Sequence, residues 1–201
     1  VVFKTKKNKM KKIIVIILWF ILVSWVSNGT QNISVSSEGE RKIENDDLAK
    51  IIKSRVKQKH VFSEFCNKYS EIAILCHLDC GIPTSVQLAQ AIAESGGGKS
   101  ELAKVANNLF GMKYYKEIFN GDYYLSRDNT KWRKYKSFED SFIDHADFLN
   151  KYYTNAVGKD WKYWSEKCQG YGANGYWNHI GMVIKEYKLW EYDELVKLYK
   201  R

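Results

Sequence analysis

A single proline, Pro83, stands in 201 residues, and on both sides of it apolar side chains recur every three or four positions. Proline interrupts helices and marks tight turns, so a chain nearly free of it and patterned at the helical period is constrained to pack helices against one another. The segment 46–81 reads as one or two helices that stop at Gly81, with Pro83 just beyond. Thr84 or Ser85 is placed to cap the next helix, "VQLAQAIAE", and Ser100 to cap the short "ELAKVA". In "SFEDSFIDHADFLN", 137–150, the residues Phe138, Phe142, Ala146 and Leu149 share one face behind Ser137 as cap. Residues 160–168, 175–189 and 193–200 complete the helical set. Between Met112 and Tyr135 the chain turns to Tyr- and Phe-rich segments around Asn120-Gly121, a hairpin-turn signal. The expected class is mainly α (α+β), with one small β-hairpin.

The beginning of the chain follows a different logic. A basic stretch ending in Lys11-Lys12 precedes the uncharged run "IIVIILWFILVSWVS", 13–27, which is the pattern of an export signal. It falls short of the roughly 20 apolar residues that cross a bilayer, and an uncleaved N-terminal anchor is the alternative. Residues 1–27 are therefore assigned to a signal peptide or anchor and the polar 28–45 to a disordered linker. Residues 46–201 are assigned to one catalytic-sized domain. The expected location is beyond the inner membrane: periplasm, cell envelope or medium. The formal charge of +9 includes six lysines in residues 1–27, where no acid occurs; without them 26 basic residues face 23 acidic ones. Such near balance removes the main argument for nucleic acid as a partner. Membrane contact is expected only through the N-terminal segment, and the domain is expected to act as a monomer.

Four cysteines follow: Cys66, Cys76, Cys80 and Cys168. An even count in an exported protein favours disulfides, with three possible pairings. "CHLDC", 76–80, also offers His77, but a lone Cys-His-x-x-Cys group without a second cluster is a weak zinc signal.

The stretch "AIAESGGGKS", 91–100, is the strongest candidate for chemistry. A phosphate loop would need glycine at position 93, where alanine stands, and would follow a strand instead of a helix. His60, His77, His145 and His179 never form His-Glu-x-x-His, and "AESGG" does not supply Gly-x-Ser-x-Gly. What remains is a carboxylic acid, Glu94, in the last turn of a helix, beside glycines that leave open space before it. The helix dipole opposes its ionisation there, and apolar neighbours such as Ile92 desolvate it. A proton-holding carboxyl of this kind suits a general acid that cleaves a glycosidic bond. The plain alternative is a solvated Glu at a frayed helix end.

The run Ala-x-x-Glu-Ser-Gly-x-Gly-Lys-Ser at 91–100 and the run Ala-Asn-Asn-x-Phe-Gly at 106–111 lie within "PTSVQLAQAIAESGGGKSELAKVANNLFGMK", 83–113. This segment resembles the signature of bacterial endo-β-N-acetylglucosaminidases, glycoside hydrolase family 73, to which the flagellar muramidase-like domain also belongs. "WRKYKSFEDSFIDHADFL", 132–149, extends the resemblance, which covers roughly residues 60–193. It implies a lysozyme-like fold, peptidoglycan glycan strands as substrate, no metal or organic cofactor, and Glu94 as the proton donor. "ANNLFG" would build the cleft floor, with Asn107 and Asn108 bonding either backbone or sugar amides and Phe110 packed beneath. The asparagines are equally well explained as helix terminators.

The family's second carboxylate is expected on the hairpin, upstream of an Asn-Gly turn. Glu117 is the first candidate, Asp122 and Asp128 are rivals, and a substrate-assisted reaction needs none of them. Relatives carry a Tyr-Ala-Thr-Asp-Pro-x-Tyr segment; "GYGANGY", 170–176, keeps Tyr171 and Tyr176 but replaces the core by Ala173, Asn174 and Gly175. By this likeness Tyr171 is a candidate to position the substrate's N-acetyl group, and Tyr176 to line the cleft. Tyr114 joins them among aromatics suited to the apolar faces of sugar rings. The expected reaction is hydrolysis of the β-1,4 bond between N-acetylglucosamine and N-acetylmuramic acid. A muramidase or lytic transglycosylase of related fold and a non-catalytic wall-binding protein are the alternatives.

Overall fold

The computed structural model describes residues 37–199 apart from 169 and 172. The signal or anchor assigned to 1–27 and the first half of the linker lie outside these residues. Helix α1 spans Ser37–Arg55, so the linker boundary is corrected: residues 37–45 are helical. That stretch is rich in Glu, Arg and Lys, which enter helices at little cost, and it runs unbroken into Ala49 and Ile52, both fully buried.

Helix α2, Ser63–Cys80, stops at Gly81 in the left-handed conformation, as the sequence indicates. Helix α3, Thr84–Ser95, is the axis of the domain: every residue from Thr84 to Ile92 is buried, and α2, α6, α7 and α8 pack around it. Neither Thr84 nor Ser85 caps α3 with its own side chain. The open backbone amide of Ser85 is bonded instead by Asp193 Oδ1 at 3.0 Å, from the far end of the chain. The Ser85 hydroxyl donates to the other oxygen of the same carboxylate. A helix buried on all sides at its start has no room for a solvated cap, so the cap arrives from a neighbouring helix.

Ser100 does cap the short α4, Glu101–Ala106, accepting the Ala103 amide at 3.2 Å. The hairpin pairs β1, Asp122–Leu125, with β2, Lys131–Lys134, in the register Tyr124 opposite Trp132. Its turn is not at Asn120-Gly121, which immediately precedes β1, but at residues 126–130. There Asp128 accepts from Ser126 and from the Thr130 amide and hydroxyl, and Asn129 takes a positive φ of 62°. Asx-type bonding and a left-handed asparagine make this turn, whereas the glycine signal lies one strand earlier.

Ser137 caps α5, Phe138–Tyr152, as expected, and Phe142, Ala146 and Leu149 are buried along it. Helices α6, Trp161–Lys167, α7, Tyr176–Glu186, and α8, Trp190–Tyr199, close the domain. Trp164, Tyr192, Phe142, Ile74 and Leu88 are among the large side chains fully sealed in the core. Cys66, Cys76 and Cys168 are free thiols, so the disulfide expectation is not met. Cys66 and Cys76 sit inside the helical core, and Cys80 Sγ donates to the Cys76 carbonyl one turn back.

Candidate active site

Glu94 occupies the last turn of α3, and the loop after it explains the glycines. Ser95 is buried; its hydroxyl donates to the Ala91 carbonyl at 2.5 Å and accepts the Gly98 amide at 2.8 Å. Its carbonyl accepts the amides of both Lys99 and Ser100 at 2.9 Å. Ser95 thus ties the loop shut directly behind Glu94. Gly96, Gly97 and Gly98 all take positive φ, and a Cβ on Gly97 would stand 2.7 Å from the ring of Phe62, itself packed on Tyr187. A Cβ on Gly96 would meet nothing within 4 Å. Gly97→Ala should therefore cost about 2–3 kcal/mol and Gly96→Ala only about 1, read as denaturant midpoints at equal slope.

Solvent reaches Glu94, yet the surrounding wall crowds it, and this partial burial raises its pKa above the ordinary carboxylate value. Two neighbours on α7 pull the other way, the Tyr176 hydroxyl first and the nearby His179 second. Gln90, one turn before Glu94, donates Nε2 to the Tyr176 oxygen at 3.1 Å. That bond occupies the oxygen and leaves the Tyr176 proton free to be donated on the Glu94 side. Tyr171 stacks on Tyr176 with ring centroids 4.7 Å apart, and both phenols are pushed up by burial and by the charge of Glu94. The structure thus brings Glu94, Tyr176 and Tyr171 into one cluster. Gln90 and His179 were missed, though their signal was available: each lies one helical turn from a residue already singled out.

Other candidates fall elsewhere. Asn108 is 1% exposed, with its amide nitrogen donating to the carbonyls of Met112 and Arg133 and its oxygen accepting the Met112 amide. Both amide protons are taken and the side chain is sealed from solvent, so Asn108 braces the loop after α4 against the hairpin and is not presented to a sugar. Asn107 ends α4 at a φ of 51° and donates to the Tyr135 carbonyl, which settles it as a helix terminator. Phe110, 2% exposed, lies beneath the cluster against Phe142 and His145 and does not reach the surface. Tyr114 is half-buried on the hairpin side, edge-on to Phe119 and tilted on Tyr123.

Glu117 lies on an exposed turn, residues 116–118, ahead of β1, and Asp122 is the exposed first residue of β1. Neither is among the groups that act on Glu94. Asp128 is committed to the hairpin turn, and the bonds it accepts there hold its carboxyl below the usual range. A carboxylate that does carry weight is Asp144, whose oxygen accepts from Arg133 and from the Tyr135 hydroxyl, each at 2.6 Å, pinning the hairpin to α5.

Comparison with known proteins bears on this geometry. The family model Glucosaminidase, described as mannosyl-glycoprotein endo-beta-N-acetylglucosaminidase, matches residues 70–189. The chain is 36% identical over 132 residues to the exo-glucosaminidase LytG of Bacillus subtilis, an alignment covering 55% of this chain and 46% of that one. It is 35% identical over 124 residues to an autolysin of Enterococcus faecalis, covering 52% of this chain and 17% of that one. The chain thus spans less than half the length of these curated relatives. Among solved structures, the catalytic domain of the autolysin Auto from Listeria monocytogenes superposes with a TM-score of 0.57 at 26% identity, covering 80% of this chain and 99% of that domain.

Proposed function

The chain belongs to the glucosaminidase family whose model it matches over residues 70–189, and from that premise we propose that it is an exported peptidoglycan hydrolase with Glu94 as general acid. The bond cut is the β-1,4 linkage on the reducing side of N-acetylglucosamine. The lysozyme-like fold and the names of the relatives, a glucosaminidase and autolysins, support a cell-wall glycan as substrate. The observation that carries the reading is the setting of Glu94: a carboxyl reached by solvent, biased toward its protonated form, and faced by two tyrosines.

In this reading Glu94 delivers its proton to the leaving glycosidic oxygen as the bond breaks. Water then completes hydrolysis at the anomeric carbon. Either a hairpin acid, Glu117 or Asp122, directs that water, or the substrate's acetamido group attacks first while Tyr171 holds it. Asp128 is set aside by its role in the turn. Incubation with purified peptidoglycan tests the proposal: release of soluble glycan fragments is expected, whereas sedimentation with the wall and no release would make this a binding protein.

The protonation of Glu94 gives the reading a pH signature. The acid form is the working form, so the rate falls as pH rises through its pKa. Tyr176→Phe removes a donor that favours the carboxylate, so the alkaline limb of kcat/KM should move to higher pH. A limb that stays in place or moves down would contradict the assignment of Glu94.

A further inference from the structure

Behind the two tyrosines lies a histidine that the general-acid reading leaves unused. His145, on α5, is fully buried and stacks face to face on Phe110, with centroids 3.9 Å apart and planes within 1°. Its Nε2 stands 3.3 Å from the Tyr171 hydroxyl, and the two rings meet edge to face. Its Nδ1 is sealed from water with no hydrogen-bond partner.

These positions determine where the protons sit. A neutral imidazole carries one N–H, and a buried N–H without an acceptor is much rarer than a buried lone pair without a donor. The proton therefore belongs on Nε2, which donates it to the Tyr171 oxygen. A phenol that accepts from behind must send its own proton forward, to the side where Tyr176 and Glu94 lie. Gln90 treats Tyr176 in the same way, so each cleft tyrosine is backed by one buried donor.

We propose that His145 is a positioning residue: by donating to Tyr171 it fixes that hydroxyl as a hydrogen-bond donor into the cleft, aimed at the carbonyl oxygen of the substrate's acetamido group. This rests on the functional reading above for the identity of the substrate. Burial supports the assignment, because it pushes His145 down to about 3 and so keeps the ring uncharged at working pH. Burial and Glu94 push Tyr171 up, so the phenol keeps the proton it donates.

The test compares wild type, His145→Phe, Tyr171→Phe and the double variant on soluble glycan oligomers. Phenylalanine keeps the stack on Phe110 and deletes the donor. Each single change should lower kcat about tenfold with KM nearly constant, and the double variant should be no slower than Tyr171→Phe alone. His145→Gln, which restores an N–H near the Nε2 position, should recover most of the loss. Multiplicative effects in the double variant, or a folded His145→Phe with wild-type kcat, would overturn the proposal. A second measurement needs neither activity nor a variant: ¹⁵N NMR of the wild-type ring should show the Nε2–H tautomer from about pH 5 to 8. An Nδ1–H tautomer or a charged ring in that range would also overturn it. A wild type that cleaves no glycan would instead count against the functional reading, while leaving the NMR result to judge His145.

Discussion

Glu94→Gln should abolish turnover, by about 10²–10⁴-fold, while leaving the protein folded and able to hold glycan. Glutamine has nearly the same shape, so the packing around the end of α3 persists. It has no proton to deliver to a leaving alkoxide. The same substitution should raise the melting temperature slightly at neutral pH. The folded pKa of Glu94 lies above its ordinary value, so this group's contribution to stability is complete at low pH and is lost as pH rises through that pKa. Glutamine does not ionise and avoids the loss. Higher stability with lost activity is the signature of a residue held for chemistry against the preference of the fold. Equal loss of activity and of melting temperature would make Glu94 a structural residue.

Asp193→Ala should have the largest effect on stability, about 2–4 kcal/mol, seen as a fall in melting temperature and denaturant midpoint. Asp193 is 2% exposed and is the acceptor for both the amide and the hydroxyl of Ser85 at the start of α3. Alanine would leave two buried donors unsatisfied at the head of the helix whose other end carries Glu94. The imidazole of His77 does not replace the lost acceptor: its Nδ1, 3.6 Å from Asp193, already accepts the Thr84 amide at 3.3 Å.

Burial pushes Asp193 up to about 7, opposed by the bonds from Ser85 and by Lys197 and reinforced by Glu194. A carboxyl raised in the folded state stabilises fully below its ordinary pKa and loses that contribution as pH rises toward 7. Asp193→Asn, which keeps a carbonyl oxygen for the Ser85 amide, should lose less than alanine and should flatten this part of the stability profile. The residue also lies past the family-matched segment, which ends at 189, so the last helix completes the domain beyond that boundary.

The helices were legible because their signals are local. Ser100 and Ser137 each accept the amide three positions on, and Gly81 stops α2 where the apolar pattern ends. The cap of α3 was not legible, because it comes from 108 residues away and no local pattern announces it. The hairpin was foreseen but its turn was misplaced: Asn120-Gly121 carries the stronger dipeptide signal, whereas Asp128 with Ser126 and Thr130 makes the bond network that folds the chain back. In the site, Glu94 could be found from its awkward place at a helix end, and Tyr171 and Tyr176 from resemblance to the family. Asn108 illustrates the opposite case. Its amide suits a sugar as well as a backbone, and only the fold reveals that Met112 and Arg133 have taken it. Gln90 and His145 were hidden for a related reason, since a buried donor behind a tyrosine looks like any core polar residue until the tyrosine's oxygen is located.

The identity of the new reducing end tests the central claim most directly. Peptidoglycan digested by the wild type, reduced with borohydride and weighed by mass spectrometry, should yield fragments ending in reduced N-acetylglucosamine, absent when Glu94→Gln replaces it. Fragments ending in reduced N-acetylmuramic acid or in its anhydro form would contradict the account, keeping the acid but assigning it to the neighbouring bond.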